Sequence, residues 1–194
     1  MKHLIYLVVF LPLLSSCFCD DPQDVYLPPI PDSILNLIPY AKNQSITLVH
    51  SGGLEIQYQI NRFTEVQESW CEFCCDYVYH YEVNTTQLVP DYNLPMLSFQ
   101  LYSPDSVFFL LSLNTGNSSF EIPFSYLPEN INYQATLLDT FRLDSISYFN
   151  VFAIKGVSYQ FNNDQIFFDS LYYNYSHGII KLLTNYEESY ILKP

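Results

Sequence analysis

Leu54-Glu55-Ile56-Gln57-Tyr58-Gln59-Ile60-Asn61 is the stretch that decides the fold. Leu54, Ile56, Tyr58 and Ile60 alternate with Glu55, Gln57, Gln59 and Asn61. Successive side chains of a strand point to opposite faces, so this octet reads as a strand with one buried and one wet face. Upstream, Ser45 to His50 forms a second apolar run, and Ser51-Gly52-Gly53 between the two supplies a turn, which predicts a hairpin. Downstream, Tyr77, Tyr79, Tyr81 and Val83 alternate with Val78, His80 and Glu82, and Leu97, Phe99 and Leu101 with Ser98, Gln100 and Tyr102. Val107 to Leu113 is apolar on both faces and reads as a central strand, while Phe120, Ile122 and Phe124 mark another. Beyond an irregular or short helical stretch near Leu127 to Leu137, strands are expected around 139–143, 146–155, 165–174, 178–183 and 188–192. No segment carries a 3.6-residue apolar stripe over three or more turns. The expectation is all-β: a single antiparallel domain of about ten strands. It would form a sandwich or a curved half-barrel sheet, with at most one short helix.

Composition agrees. Charged residues are 14% of the chain and aromatics 18%, the opposite of a disordered balance. The 18 tyrosines and 15 phenylalanines favour strands. With five glycines and no G-x-G-x-x-G or P-loop pattern, a backbone cradle for phosphates is not expected.

The N-terminus reads as an address. Met1-Lys2-His3 is positive, Leu4 to Leu14 is apolar, and Leu14-Ser15-Ser16-Cys17 closes the run with small residues before a cysteine. That is the layout of a secretory signal, too short for a comfortable membrane span. The Leu-Ser-Ser-Cys ending resembles the lipobox of bacterial lipoproteins, whose chains are cut before the cysteine that then becomes lipidated. The resemblance implies a signal peptide at 1–16, lipidation at Cys17, and a lipid-anchored place at the outer membrane, periplasmic or surface-exposed. Residues 17–39 then read as the lipidated Cys and a tether, with Pro22, Pro28, Pro29, Pro31 and Pro39 breaking regular structure and Asp20, Asp21 and Asp24 solvating it. Residues 40–194 are left as the β domain. Asp20-Asp21 is similar to the acidic export signals of Bacteroidota surface lipoproteins. Asp32-Ser33-Ile34, Asp105-Ser106-Val107, Asp144-Ser145-Ile146 and Asp169-Ser170-Leu171 match the Asp-Ser/Thr-aliphatic pattern of O-glycosylation in that group. The ending resembles uncharacterised lipoproteins of the same group, in Tyr148-Phe149-Asn150-Val151, Leu171-Tyr172-Tyr173, Gly178-Ile179-Ile180-Lys181 and Tyr190-Ile191-Leu192. It carries no catalytic residues over.

Without residues 1–16 the chain has 178 residues, 6 basic and 20 acidic, a net charge of −14. Such a surface is repelled by nucleic acid and by anionic headgroups. Export implies an oxidising compartment. With Cys17 lipidated, Cys19, Cys71, Cys74 and Cys75 remain as disulfide candidates in three full pairings. Cys71 with Cys74 or Cys75 closes a small loop, whereas a bond between adjacent Cys74 and Cys75 is strained. The Trp70–Asp76 run with His80 has zinc-ligand chemistry but no second Cys or His pair at matching spacing, so no metal is assigned. Asn162-Asn163-Asp164 reads as a hairpin turn before a calcium loop.

No H-E-x-x-H or G-x-S-x-G pattern occurs, and His50, His80 and His177 have no paired spacing. No catalytic residue and no cofactor are assigned, and the chain is not expected to be an enzyme. Tyr77, Tyr79 and Tyr81 share one face, as core or sheet surface. Tyr172, Tyr173 and Tyr175 cluster near the Ser176-His177-Gly178 turn and are the candidate ligand surface, since aromatics there can stack on sugars or line a pocket. The expected role is a non-catalytic accessory, scaffold or binding protein. Its partners would be the membrane through Cys17 and another envelope protein or a glycan. A lipocalin-like or half-barrel carrier of a small apolar or glycan ligand is the alternative, and predicts a cavity on the order of several hundred cubic ångströms inside the sheet. A eukaryotic secreted glycoprotein is the reading if the lipobox is fortuitous, with sequons at Asn43, Asn84, Asn117 and Asn174.

Overall fold

The computed structural model describes residues 23–70, 77–103, 109–123, 134–158 and 166–194. Cys17, Cys19, Cys71, Cys74 and Cys75, the Asp105-Ser106 pair and Asn162-Asn163-Asp164 lie outside the described residues, as does most of the 127–137 stretch.

The fold is all-β, as the alternation predicts. Among the described residues thirteen strands form one curled sheet: β1 (Gln23–Tyr26), β2 (Ser45–His50), β3 (Glu55–Trp70), β4 (Tyr77–Pro90), β5 (Leu97–Tyr102), β6 (Leu110–Asn114), β7 (Ser118–Ile122), β8 (Ala135–Leu143), β9 (Ile146–Lys155), β10 (Val157–Ser158), β11 (Phe168–Asn174), β12 (Gly178–Thr184) and β13 (Ser189–Leu192). One four-residue helix, α1 (Asp32–Leu35), accompanies them. The sheet order is β10-β7-β6-β5-β4-β3-β2-β13-β12-β11-β9-β8, with β1 paired to β4. Every pairing is antiparallel except β1 with β4, which is parallel.

Register places the apolar set of each strand on the inside of the curl. Leu48 lies opposite Ile56, Ile60 opposite Leu88, Phe99 opposite Leu113, and Leu113 opposite Phe120. All are buried. Each such side chain contributes roughly 1.5–3 kcal/mol by leaving water, and a one-residue slip would turn the whole set outward. The curl brings its own ends together at Gly156. The chain of β9 continues past Gly156 into β10, which pairs with β7 at the opposite end of the sheet. A Cβ at 156 would sit 2.8 Å from the Phe120 ring and 2.9 Å from the Phe168 carbonyl, so the corner takes a residue without a side chain.

Two parts leave the curl. The β3–β4 hairpin is far longer than its neighbours, 16 and 14 residues. β5 pairs only with Val83 to Leu88 of β4, while β1 takes the same edge at Tyr77 to His80. The outer half of the hairpin therefore stands out as an arm with β1 along it. The β8–β9 hairpin folds back on the outer face of β11 and β12, where Leu138, Phe141, Leu143, Ile146, Tyr148 and Val151 close a second small core over Tyr172 and Ile180.

The tether expectation is corrected from Gln23 onward. Tyr26 stacks on His80 with centroids 4.4 Å apart, and His80 Nε2 lies 2.7 Å from Asp24 Oδ1. The following segment crosses into the curl, where Ile30, Ile38 and Tyr40 join the main core. The prolines break helix and strand here without preventing burial, because the apolar residues between them have a concave sheet to fill. Arg62 of β3 fixes the segment. Its guanidinium donates to the carbonyls of Leu35 at 2.6 Å, Tyr40 at 3.1 Å and Ile38 at 3.2 Å, and to Asn84 Oδ1 at 3.1 Å. The domain thus begins before residue 40.

Candidate functional site

The candidate ligand surface read from the sequence is corrected. Tyr173 is 0% exposed and its hydroxyl donates to the Leu37 carbonyl at 2.5 Å. Tyr172 stacks on Phe141 at 4.6 Å inside the second core. Tyr175 is half-buried, its hydroxyl bonds the Pro123 carbonyl, and its ring meets Phe152 edge-on. The physical reason is coverage. β11 faces the curl on one side and the folded-back β8–β9 hairpin on the other, so neither set of its tyrosines is left on the surface.

A half-exposed aromatic face lies instead on the outside of β3, β4 and β5. Alternation on these strands sends Ile60, Leu88, Phe99 and Leu101 inward and leaves Gln67, Tyr81, Gln100 and Tyr102 outward. Gln67 pairs with Tyr81, and Tyr102 with Val83, so the phenols of Tyr81 and Tyr102 meet diagonally across two strands. Their centroids are 6.1 Å apart at 42°. A trough of about 230 Å³ lies among Gln67, Tyr81, Val83, Gln100 and Tyr102, with buried Val83 as its floor.

Its rim carries the right functional groups for a hydroxylated ligand. Burial, the neighbouring Tyr81 phenol and Glu121 push the Tyr102 hydroxyl above its ordinary pKa. Gln67 Nε2 donates to Glu65 Oε1 at 2.8 Å, which steadies its amide, and Gln100 Oε1 accepts from Asn114 Nδ2 at 3.4 Å. Glu65 and Glu121 make the edges of the trough acidic. Nothing in the group is arranged as a nucleophile with a base. Among the described residues no three His, Cys, Asp or Glu side chains converge as metal ligands.

Other concavities differ in character. A pocket of about 200 Å³, with Leu94, Phe168, Thr184 and Tyr190 among its walls, lies where the ends of several strands meet. A broader hollow of about 490 Å³ separates the Leu143–Ile146 turn from Ile191–Pro194. The described interior of the curl is filled by Tyr58, Phe99, Phe120 and Tyr173.

The sequons also acquire surroundings. Asn84 is buried and its Nδ2 donates to Thr64 Oγ1 at 2.9 Å, and Asn174 is buried with Nδ2 donating to the Phe149 carbonyl at 3.2 Å. Asn117 Nδ2 bonds the Ile166 carbonyl at 3.2 Å, while Asn43 is exposed at a positive φ of 66°.

No protein-family model matches this chain, and neither the curated proteins nor the solved structures contain a match to it.

Proposed function

We propose that this protein is a non-catalytic, lipid-anchored envelope protein that binds neutral carbohydrate on the outer face of β3, β4 and β5. The observation that carries the binding role is the Tyr81–Tyr102 trough. Two phenols at an angle over an apolar floor, flanked by the planar amides of Gln67 and Gln100, match a sugar ring. Such a ring has apolar faces for stacking and hydroxyls around its edge. The carboxylates of Glu65 and Glu121 disfavour an acidic sugar by charge repulsion. The anchor reading rests on the Leu14-Ser15-Ser16-Cys17 ending. The buried, bonded side chains of Asn84 and Asn174 are incompatible with a glycan on either in this packing, so the eukaryotic glycoprotein reading would rest on Asn43 and Asn117. An interior carrier site is disfavoured because aromatic side chains occupy the curl.

Two experiments test this. Calorimetric titration with neutral oligosaccharides, glucans and xylans first, should give binding that Tyr81→Ala and Tyr102→Ala each weaken about tenfold. A wild-type protein indifferent to every neutral oligosaccharide sinks the sugar role. Intact mass of membrane-extracted protein should start at Cys17 with acyl chains attached, and the Cys17→Ala variant should lack them. An unacylated wild-type chain sinks the anchor.

A further inference from the structure

β1 fixes where the anchor sits relative to the fold. Gln23 pairs with Tyr77 and Tyr26 with His80, in parallel. The chain therefore enters the structure at the far end of the β3–β4 arm and runs along it toward the curl. Only Phe18 to Pro22 separate Cys17 from Gln23, a reach of at most about 20 Å fully extended. Along β4, β5 joins at Val83, six residues from Tyr77 and so roughly 20 Å further from the anchor. Of the described parts, the end of the arm is the one a short leader holds nearest to the membrane.

That end is aromatic. Tyr26 is 72% exposed, Tyr77 44% and Tyr79 38%, and the last two rings lie 6.2 Å apart. Tyrosine joins an apolar ring to a polar tip and is enriched where hydrocarbon meets water. The described residues of the arm contain no Lys or Arg. Its charged groups are Asp24, Glu65, Glu68 and Glu82, with His80 between Asp24 and Glu68 at 2.7 Å and 3.7 Å.

We infer that the end of the arm, through the Tyr77 and Tyr79 rings on one of its faces, docks on the headgroup layer of the bilayer that holds the acyl chains of Cys17. The arm is then a leg between the membrane and the curl. This rests on the lipid-anchor reading. The matching surface is zwitterionic, because the carboxylates of the arm are repelled by anionic lipid.

Trp70 is the chain's only tryptophan and lies opposite Val78 at the end of the arm, so its emission reports the docking. The membrane-extracted protein is reconstituted in vesicles of phosphatidylcholine and phosphatidylethanolamine, part of the phosphatidylcholine brominated near its headgroup. Flotation and Trp70 emission are read together. The protein should float with its emission quenched about twofold or more. Quenching should fall when phosphatidylglycerol replaces part of the neutral lipid. It should also fall in the Tyr77→Ser/Tyr79→Ser variant, whose circular dichroism should match the wild type because both side chains are exposed. Protein that floats with unquenched Trp70, or with quenching indifferent to the two tyrosines, overturns the docking and leaves the anchor standing. Protein that fails to float overturns both.

Discussion

The ring of Tyr40 lies against the α-carbon of Gly178, so closely that a Cβ at 178 would overlap its phenol. The Tyr40 hydroxyl accepts a hydrogen bond from the Ile179 N–H at 2.6 Å. Gly178 also has φ of +77°, the left-handed region that disfavours a side chain. One glycine thus serves the β11–β12 turn and the seating of the N-terminal segment together. Gly178→Ala should destabilise the fold by about 2–4 kcal/mol in urea unfolding, from backbone strain plus overpacking. In a Tyr40→Ala background the overlap is gone and the same substitution should cost about 1 kcal/mol. Equal costs in both backgrounds would contradict the contact.

Arg62 is held by hydrogen bonds to main-chain carbonyls and an amide oxygen, and no carboxylate pairs with it among the described residues. Burial lowers its pKa from the usual arginine value. Arg62→Leu leaves those carbonyls without their donor and should cost about 3 kcal/mol. Hydrogen exchange should rise through residues 30–41 before it rises in β5 and β6. Uniform loss of protection would mean the segment is not a separate unit.

Thr86 is a case of opposite sign. Its hydroxyl is buried on the inner face without a hydrogen-bond partner among the described residues. Thr86→Val keeps the shape and removes the unsatisfied group, so thermal or urea unfolding should show stability raised by about 1 kcal/mol. A loss of stability would reveal a partner for the hydroxyl.

The buried phenols set an alkaline limit. Burial, with help from Tyr190 and Asp91, pushes Tyr58 up to about 12. Burial likewise raises Tyr40, against the Ile179 N–H that lowers it, and raises Tyr173, with Tyr40 and Tyr175 adding to the effect. The unfolded phenol titrates near 10. Folding therefore favours the neutral form. This contribution is complete below pH about 10 and is lost as pH rises toward about 12 and beyond. Alkaline titration followed by tyrosinate absorbance and circular dichroism should show a late cooperative step. Tyr58→Phe should flatten the loss of stability above pH about 10. Smooth ionisation of every tyrosine near pH 10 would contradict the packing.

Much of this architecture is legible along the chain. The Leu54–Asn61 alternation is the middle of β2–β3, and the expected C-terminal strands fall on β8, β9 and β11 to β13 within a few residues. Local period alone carries these, because a strand with one wet face writes its two faces in alternate letters. The strand count is higher than ten because β1 and β10 are too short to leave a pattern, four and two residues. The extent of β3 is also hidden: beyond Asn61 the alternation fades, since both faces of the arm meet water.

Which aromatics stay on the surface is not written in the local pattern. Tyr81 and Tyr172 look alike in sequence, each an aromatic in a period-two run. Tyr81 stays half-exposed because no described segment folds over the outer face at the trough. Tyr172 is covered because the β8–β9 hairpin bends back over β11 and β12.

The sequence by itself determined the strand class, the alternation of the two faces along most strands and the acidic balance, because each is a local property of composition or period. Tertiary structure decided which aromatics reach the surface, where the domain begins and how the sheet meets its own end at Gly156. Those depend on contacts between residues far apart in the chain, as in Tyr40 on Gly178 and Arg62 on Leu35. No local pattern encodes what a distant segment will cover.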